Sequence, residues 1–137
     1  MGFNFKIETL MELTLQLKVL YVEDNKEARE STTGLLENIF KDITVAIDGK
    51  DGLEKFSQNP QAYDLVISDI NMPNMNGIQM VQKIKEKSDT IKVCLLSAYN
   101  DEEYPIDTNI KIDARFSKPI DLNNFFTALN KMYAIKE

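Results

Sequence analysis

Two kinds of apolar segment alternate along this chain. Short runs that read as buried strands are Val19 to Val22, Ile43 to Ile47, Leu65 to Ser68, Val93 to Leu96 and Ala114 to Phe116. The first, third and fourth are nearly continuous apolar runs, the pattern of parallel strands covered on both faces. Between the runs lie segments with helical spacing. Asn25 to Phe40 carries Ala28, Thr32, Leu35, Leu36, Ile39 and Phe40 on one side, Gly49 to Ser57 carries Leu53 and Phe56, and Gly77 to Lys87 carries Ile78, Val81 and Ile84. The last segment, Leu122 to Tyr133, sets Leu122, Phe125, Phe126, Leu129, Met132 and Tyr133 on an i, i+3, i+4, i+7 stripe. Such stripes read as core packing. Five strands alternating with helices predict an α/β sheet with right-handed crossovers and helices on both faces.

Two stretches break the pattern. "YNDEEYPIDTNIKID", between the fourth and fifth strands, holds Pro105 and little apolar periodicity, which predicts a short, displaced or poorly ordered helix. The seventeen residues before the first strand place Ile7, Leu10, Met11 and Leu17 at roughly helical spacing, and a strand fits them as well. They are expected to form an N-terminal extension, residues 1–17, of unassigned role. Residues 18–137 are expected to form one domain, since a chain of 137 residues lies within the usual roughly 100–200 per domain.

Composition narrows the function. Sixteen basic against 22 acidic residues give a formal charge of −6. That argues against a sequence-independent nucleic-acid binder, which needs a basic face to displace counterions. The single cysteine, Cys94, sits in "IKVCLLSA" as a small buried hydrophobe. It permits no disulfide framework, so a cytoplasmic protein is expected. The apolar runs fall far short of the roughly 20 residues of a membrane helix. Histidine is absent, which excludes a Ser-His-Asp triad, a zinc–histidine site and a phosphohistidine on this chain.

Chemistry is therefore left to carboxylates, lysine, hydroxyls and backbone, and these gather at the strand ends. In open α/β sheets, ligands sit outside the C-terminal ends of the strands. Strand one ends "VLYVEDN", with Glu23 and Asp24 directly after the apolar run, and strand three ends at Asp69. Strand four ends with Ser97, and the fifth runs into Lys118. With strands one, three and four in the centre, three carboxylates meet at one rim, flanked by a hydroxyl and an ammonium. Three like charges so close repel one another, and the arrangement makes sense around a divalent cation. Carboxylates, a backbone carbonyl and waters suit Mg²⁺. A metal beside one carboxylate, with a lysine and a hydroxyl opposite, is a phosphoryl-transfer arrangement in which Asp69 would be the nucleophile. In "DLVISDINMPNMNG" the strand delivers Asp69 to the rim, Asn71-Met72-Pro73 turns a carbonyl toward the metal, and Gly77 relieves the backbone as the next helix starts. Each piece alone has a plainer reading. Asp24 or Asn25 could cap the next helix, Asp69 could be a turn residue, Ser97 a helix cap, and Lys118-Pro119 a loop.

Taken together, "VLYVEDN", "DLVISDINMPNMNG", "LLSA" and "FSKPI", in that order, closely resemble the response-regulator receiver domain of two-component signalling, from about Lys18 to Lys136. The resemblance implies a flavodoxin-like five-stranded parallel sheet of order 2-1-3-4-5 with helices on both faces. It implies Asp69 as phosphoacceptor, Asp24 as a direct Mg²⁺ ligand, Glu23 as a second acid acting directly or through water, and Asn71 as a ligand through its main-chain carbonyl. Ser97 matches the switch hydroxyl and Lys118 the lysine that pairs with the phosphoryl group, across a cis Lys118-Pro119 bond. Ala98 would offer its backbone N–H to the phosphoryl oxygens. A histidine kinase or histidine phosphotransfer protein is the implied donor. The implied readout is the surface made by the helix after strand four, strand five and the helix after strand five, acting on a downstream protein or an attached output domain, with a homodimer possible. One position departs from the family. The aromatic residue usual three places before the lysine is here Arg115, with Phe116 one place later.

Two other functions compete with this reading, an enzyme and a binding module on the same fold. An aspartate-nucleophile phosphatase of the haloacid dehalogenase type needs a second acid two residues after the nucleophile, where this chain has Asn71. A phosphorylation-independent binding module would not require the full set of strand-end residues that is present here.

Overall fold

The computed structural model describes residues 2–98 and 110–133, with residues 2–8 described by backbone alone. The expected irregular helix between the fourth and fifth strands falls mostly on residues outside this range. Among the described residues eleven elements follow in order. They are α1 (Gly2–Gln16), β1 (Lys18–Val22), α2 (Lys26–Leu36), β2 (Asp42–Ala46), α3 (Gly49–Gln58), a short 3₁₀ turn (Pro60–Ala62), β3 (Leu65–Asp69), α4 (Gly77–Lys87), β4 (Lys92–Ser97), β5 (Ala114–Ser117) and α5 (Leu122–Met132). The five strands form one parallel sheet of order β2-β1-β3-β4-β5, as the resemblance implies.

The period of two along each strand sorts the core into two layers. Leu20, Val22, Val66, Val93 and Leu95 point to one face and pack with Phe56 of α3 and with Ile78, Met80, Val81 and Ile84 of α4. Val19, Tyr21, Leu65, Ile67, Cys94 and Leu96 point to the other and pack with Leu36, Phe40, and Phe125 and Leu129 of α5. Val19 through Val22 are fully buried, so the continuous apolar run of β1 is explained by cover on both sides. A fully buried leucine or phenylalanine contributes roughly 1.5–3 kcal/mol of hydrophobic stabilisation, which makes the central strands the rigid base on which their C-terminal ends are held.

Within the stretch expected to be an N-terminal extension, Gly2–Gln16 form helix α1. Leu10 and Leu17 enter the second layer, whereas Met11 and Leu15 remain exposed. Two of the expected core positions lie at the surface. β2 ends at Ala46, and Ile47, expected in the strand, is 55% exposed because its N–H has left the sheet for the Asp51 carboxylate at 3.0 Å. Leu122 is 39% exposed. It occupies the first turn of α5, just after the Asp121 N-cap, before the helix closes on the sheet.

Candidate functional site

The acids expected at the rim are brought together by the strand order. β1 and β3 are neighbours with Val22 opposite Ser68, so Glu23 and Asp69 emerge side by side. Carboxylate oxygens of Glu23, Asp24 and Asp69 lie within 4.8 Å of one another. Glu23 and Asp69 are buried, at 1% and 4% exposure, and Asp24 is half-buried. Lys118 comes from just beyond β5, with its Nζ 2.7 Å from Glu23 Oε1 and 3.1 Å from Asp69 Oδ1. The Lys118–Pro119 peptide is cis, as the resemblance implies.

Local chemistry fixes each acid. Asn25 caps α2, its side chain accepting from the Ala28 N–H at 2.9 Å, while its own N–H donates to Glu23 Oε2 at 3.2 Å. The plainer capping role thus belongs to Asn25 and leaves both acids free for the rim. Arg29, one turn into α2, reaches back to donate to the Glu23 carbonyl at 3.0 Å and the Asp24 carbonyl at 3.3 Å. This clamp was not anticipated from the sequence. Its one signal there is a basic residue a helical turn past the acidic loop.

Asp69 is set by backbone geometry. Its Oδ1 accepts from the Ile70 N–H at 2.9 Å. Beyond it, the Met75 N–H reaches the Pro73 carbonyl at 2.7 Å around Asn74, which sits at φ 69°. Asparagine is among the few side chains that accept this left-handed conformation. The Gly77 N–H then donates to the Ile70 carbonyl at 2.8 Å. A Cβ on Gly77 would collide with the Asp69 carbonyl, so the close return of the chain beneath the acid requires glycine. α4 starts there with a reciprocal capping box between Asn76 and Gln79. Asn71 lies in the loop two residues past Asp69, its side chain exposed, and Ala98 follows directly on β4.

Ser97 ends β4, one residue beyond Leu96, the partner of Asp69 in register. Its hydroxyl accepts from Arg115 Nε at 2.7 Å. This contact was also not anticipated.

The electrostatics follow from crowding. Burial, then the charge of Glu23, push the Asp69 carboxyl up to about 7, against the pull of Lys118. Burial opposes ionisation of Glu23 too, but the Lys118 hydrogen bond and the Asn25 N–H outweigh it and hold Glu23 below its usual range. Asp24 is raised by burial and by Glu23. Burial disfavours the Lys118 ammonium, yet the two carboxylates prevail and hold it above its usual value. Of the two buried acids Glu23 is thus the easier to ionise, and Asp69 the harder until more positive charge arrives. The oxygen-only donor set and the like-charge repulsion both fit a hard divalent cation.

The response regulator receiver domain family matches residues 19–130. The chain is similar to a two-component response regulator, ARR10, of Arabidopsis thaliana, 30% identical over 76% of this chain and 19% of that protein. It is also similar to a probable chemotaxis protein CheY of Rhizobium etli, 36% identical over 63% of this chain and 66% of that one. The chain therefore spans only a small part of its Arabidopsis relative's length. Among solved structures it resembles the N-terminal domain of an uncharacterised Wolinella succinogenes protein, with TM-score 0.72 and 30% identity over 88% of this chain and 99% of that one. The CheX-CheY-BeF3-Mg²⁺ complex of Borrelia burgdorferi has TM-score 0.76 over 89% of this chain and 92% of that one, and at 24% identity it shows the fold alone. This chain belongs to the response regulator receiver domain family, the phosphoacceptor switches of two-component signalling. No helix among the described residues is long and apolar enough to cross a membrane.

Proposed function

We propose that this receiver domain is a Mg²⁺-dependent switch that accepts a phosphoryl group on Asp69 from a phosphohistidine of a histidine kinase or phosphotransfer protein. The observation that carries the reading is the meeting of three carboxylates and one lysine at a single rim, with the Lys118 ammonium in contact with both Glu23 and Asp69. Glu23, Asp24, Asp69 and the main-chain carbonyl of Asn71 would hold the ion. When bound, Mg²⁺ supplies positive charge to the transferring phosphoryl oxygens.

The chain's own residues do the rest. One oxygen of the ionised Asp69 carboxylate, any proton on it having gone to solvent, attacks phosphorus; the phosphorus–nitrogen bond of the donor breaks, and the imidazole nitrogen keeps the electron pair. Lys118, already 3.1 Å from Asp69, neutralises one phosphoryl oxygen, and the Ala98 N–H and the Ser97 hydroxyl donate to others. The added charge of roughly −1.5 to −2 redistributes these hydrogen bonds, and the face made by the connection after β4, by β5 and by α5 changes with them. In dephosphorylation, water attacks phosphorus and loses a proton to solvent, the bond from phosphorus to Asp69 breaks, and Asp69 leaves as a carboxylate with release of inorganic phosphate. The domain acts on a downstream protein or an attached output domain, in the cytoplasm, with residues 1–17 as an extension of the switch domain at 18–137.

Calorimetry with beryllofluoride, an acyl-phosphate mimic, tests this. Binding is expected only with Mg²⁺ present and is expected to be absent in Asp69→Ala. Equal heats without Mg²⁺, or in that variant, would overturn the reading.

A further inference from the structure

β4 and β5 are paired with Leu95 opposite Arg115 and Ser97 opposite Ser117. Residues two apart on a strand share a face. Arg115 and Ser97 therefore lie on the same face of adjacent strands, on a diagonal that rises toward the rim holding Asp69. Only a long side chain can span that diagonal, and Arg115 does so, placing Nε 2.7 Å from Ser97 Oγ. Among the described residues the Ser97 hydroxyl makes no hydrogen bond to Asp69 or Lys118. Those two are instead joined directly at 3.1 Å.

We propose that Arg115 is a positioning residue that retains the Ser97 hydroxyl at the β5 side and so sets how readily the site closes on a phosphoryl group; this rests on the phosphoacceptor reading of Asp69. A guanidinium N–H donating into a hydroxyl oxygen occupies one lone pair and leaves the O–H proton able to donate. The contact does not disable Ser97 chemically. It fixes where the oxygen sits. Side chains change direction by hopping between staggered wells, so a turn of Ser97 toward Asp69 breaks the Arg115 contact. Arginine keeps its charge at every working pH, so the latch cannot be released by titration and must be outcompeted by the incoming anion. An aromatic side chain at position 115 could fill space beside the hydroxyl but could not hold it by a charge-assisted hydrogen bond.

The sign of the effect separates this role from simple attraction. If Arg115 served only as a positive charge near an anion site, its loss would weaken anion binding. A latch that must be broken predicts the reverse. Arg115→Met keeps an apolar stem and removes the donor. Its affinity for beryllofluoride in the presence of Mg²⁺ is expected to rise by roughly three- to tenfold, the worth of one partly exposed charged hydrogen bond. In a Ser97→Ala background the same change is expected to give no rise. In the free wild-type protein the Arg115 Nε–H is expected to show slowed hydrogen exchange by NMR, lost in Ser97→Ala. Unchanged or weaker beryllofluoride binding by Arg115→Met, a rise that persists without Ser97, or a rapidly exchanging Nε–H each overturn the latch. If the wild type binds no beryllofluoride while the Nε–H is protected, the phosphoacceptor reading itself has failed, and the latch falls with it.

Discussion

The ammonium of Lys118 lies 2.7 Å from Glu23 Oε1, across 95 residues of sequence. The lysine holds one of the acids that would bind the metal. Lysine and metal therefore compete for Glu23. Lys118→Met is expected to raise Mg²⁺ affinity by roughly tenfold. Without metal the same change is expected to lower stability by about 2 kcal/mol at pH 8. That is less than the roughly 3–5 kcal/mol for fully buried pairs, because the Lys118 side chain is 28% exposed. Calorimetry and thermal melts check both; a fall in Mg²⁺ affinity would argue against competition.

The crowding of Asp69 makes stability depend on pH in a defined window. Its carboxyl is pushed up to about 7 from 3.8, by burial first and Glu23 second. A raised folded-state value means that the proton favours the fold. The contribution is complete below about pH 4 and is lost as pH rises through about 7. Asp69→Asn cannot titrate. In metal-free buffer its advantage in melting temperature over the wild type is expected to grow from pH 4 to pH 7 and then level off. Glu23, whose value is lowered, loses its contribution only at the acid end and leaves this window unaffected. A gap that does not change with pH would contradict the assignment.

Gly77 is expected to tolerate no side chain. Any Cβ meets the Asp69 carbonyl, which is backbone and cannot swing aside. Gly77→Ala is expected to cost about 2–4 kcal/mol in urea unfolding. Because the collision lies directly beneath Asp69, Mg²⁺ affinity is expected to fall with it.

Gly34 is the opposite case. It lies exposed inside α2, and a Cβ there would touch nothing within 4 Å. Gly34→Ala is expected to stabilise the protein by about 0.5–1 kcal/mol, through helix propensity and a less flexible unfolded chain. Chemical denaturation measures it, and destabilisation would place an unseen constraint at α2.

The parts legible in the sequence were those carried by residue type and strand position. β1 and β3 announced themselves as nearly continuous apolar runs, and the acids that follow or end them could only emerge at one rim once the strands were neighbours. The edges were less legible. Ile47 continues the apolar run of β2, but nothing in a run of apolar residues shows that the Asp51 carboxylate will draw its N–H out of the sheet. Leu122 fits the stripe of α5, yet a first-turn residue precedes the point where the helix meets the core. The two arginine contacts were hidden for a different reason. Arg29 returns to two backbone carbonyls, and Arg115 crosses a strand diagonal. Both depend on the reach and direction of a long side chain, which residue spacing alone does not specify.

The account stands most directly on where phosphorus goes. Intact-mass measurement after incubation with a small-molecule phosphodonor and Mg²⁺ is expected to show one added phosphoryl group on the wild-type chain. Borohydride reduction and peptide mapping are expected to place it at Asp69, and the adduct is expected to vanish in Asp69→Asn or when the metal is chelated. An adduct that survives in Asp69→Asn, maps to another residue, or never forms while Mg²⁺ is bound would contradict it.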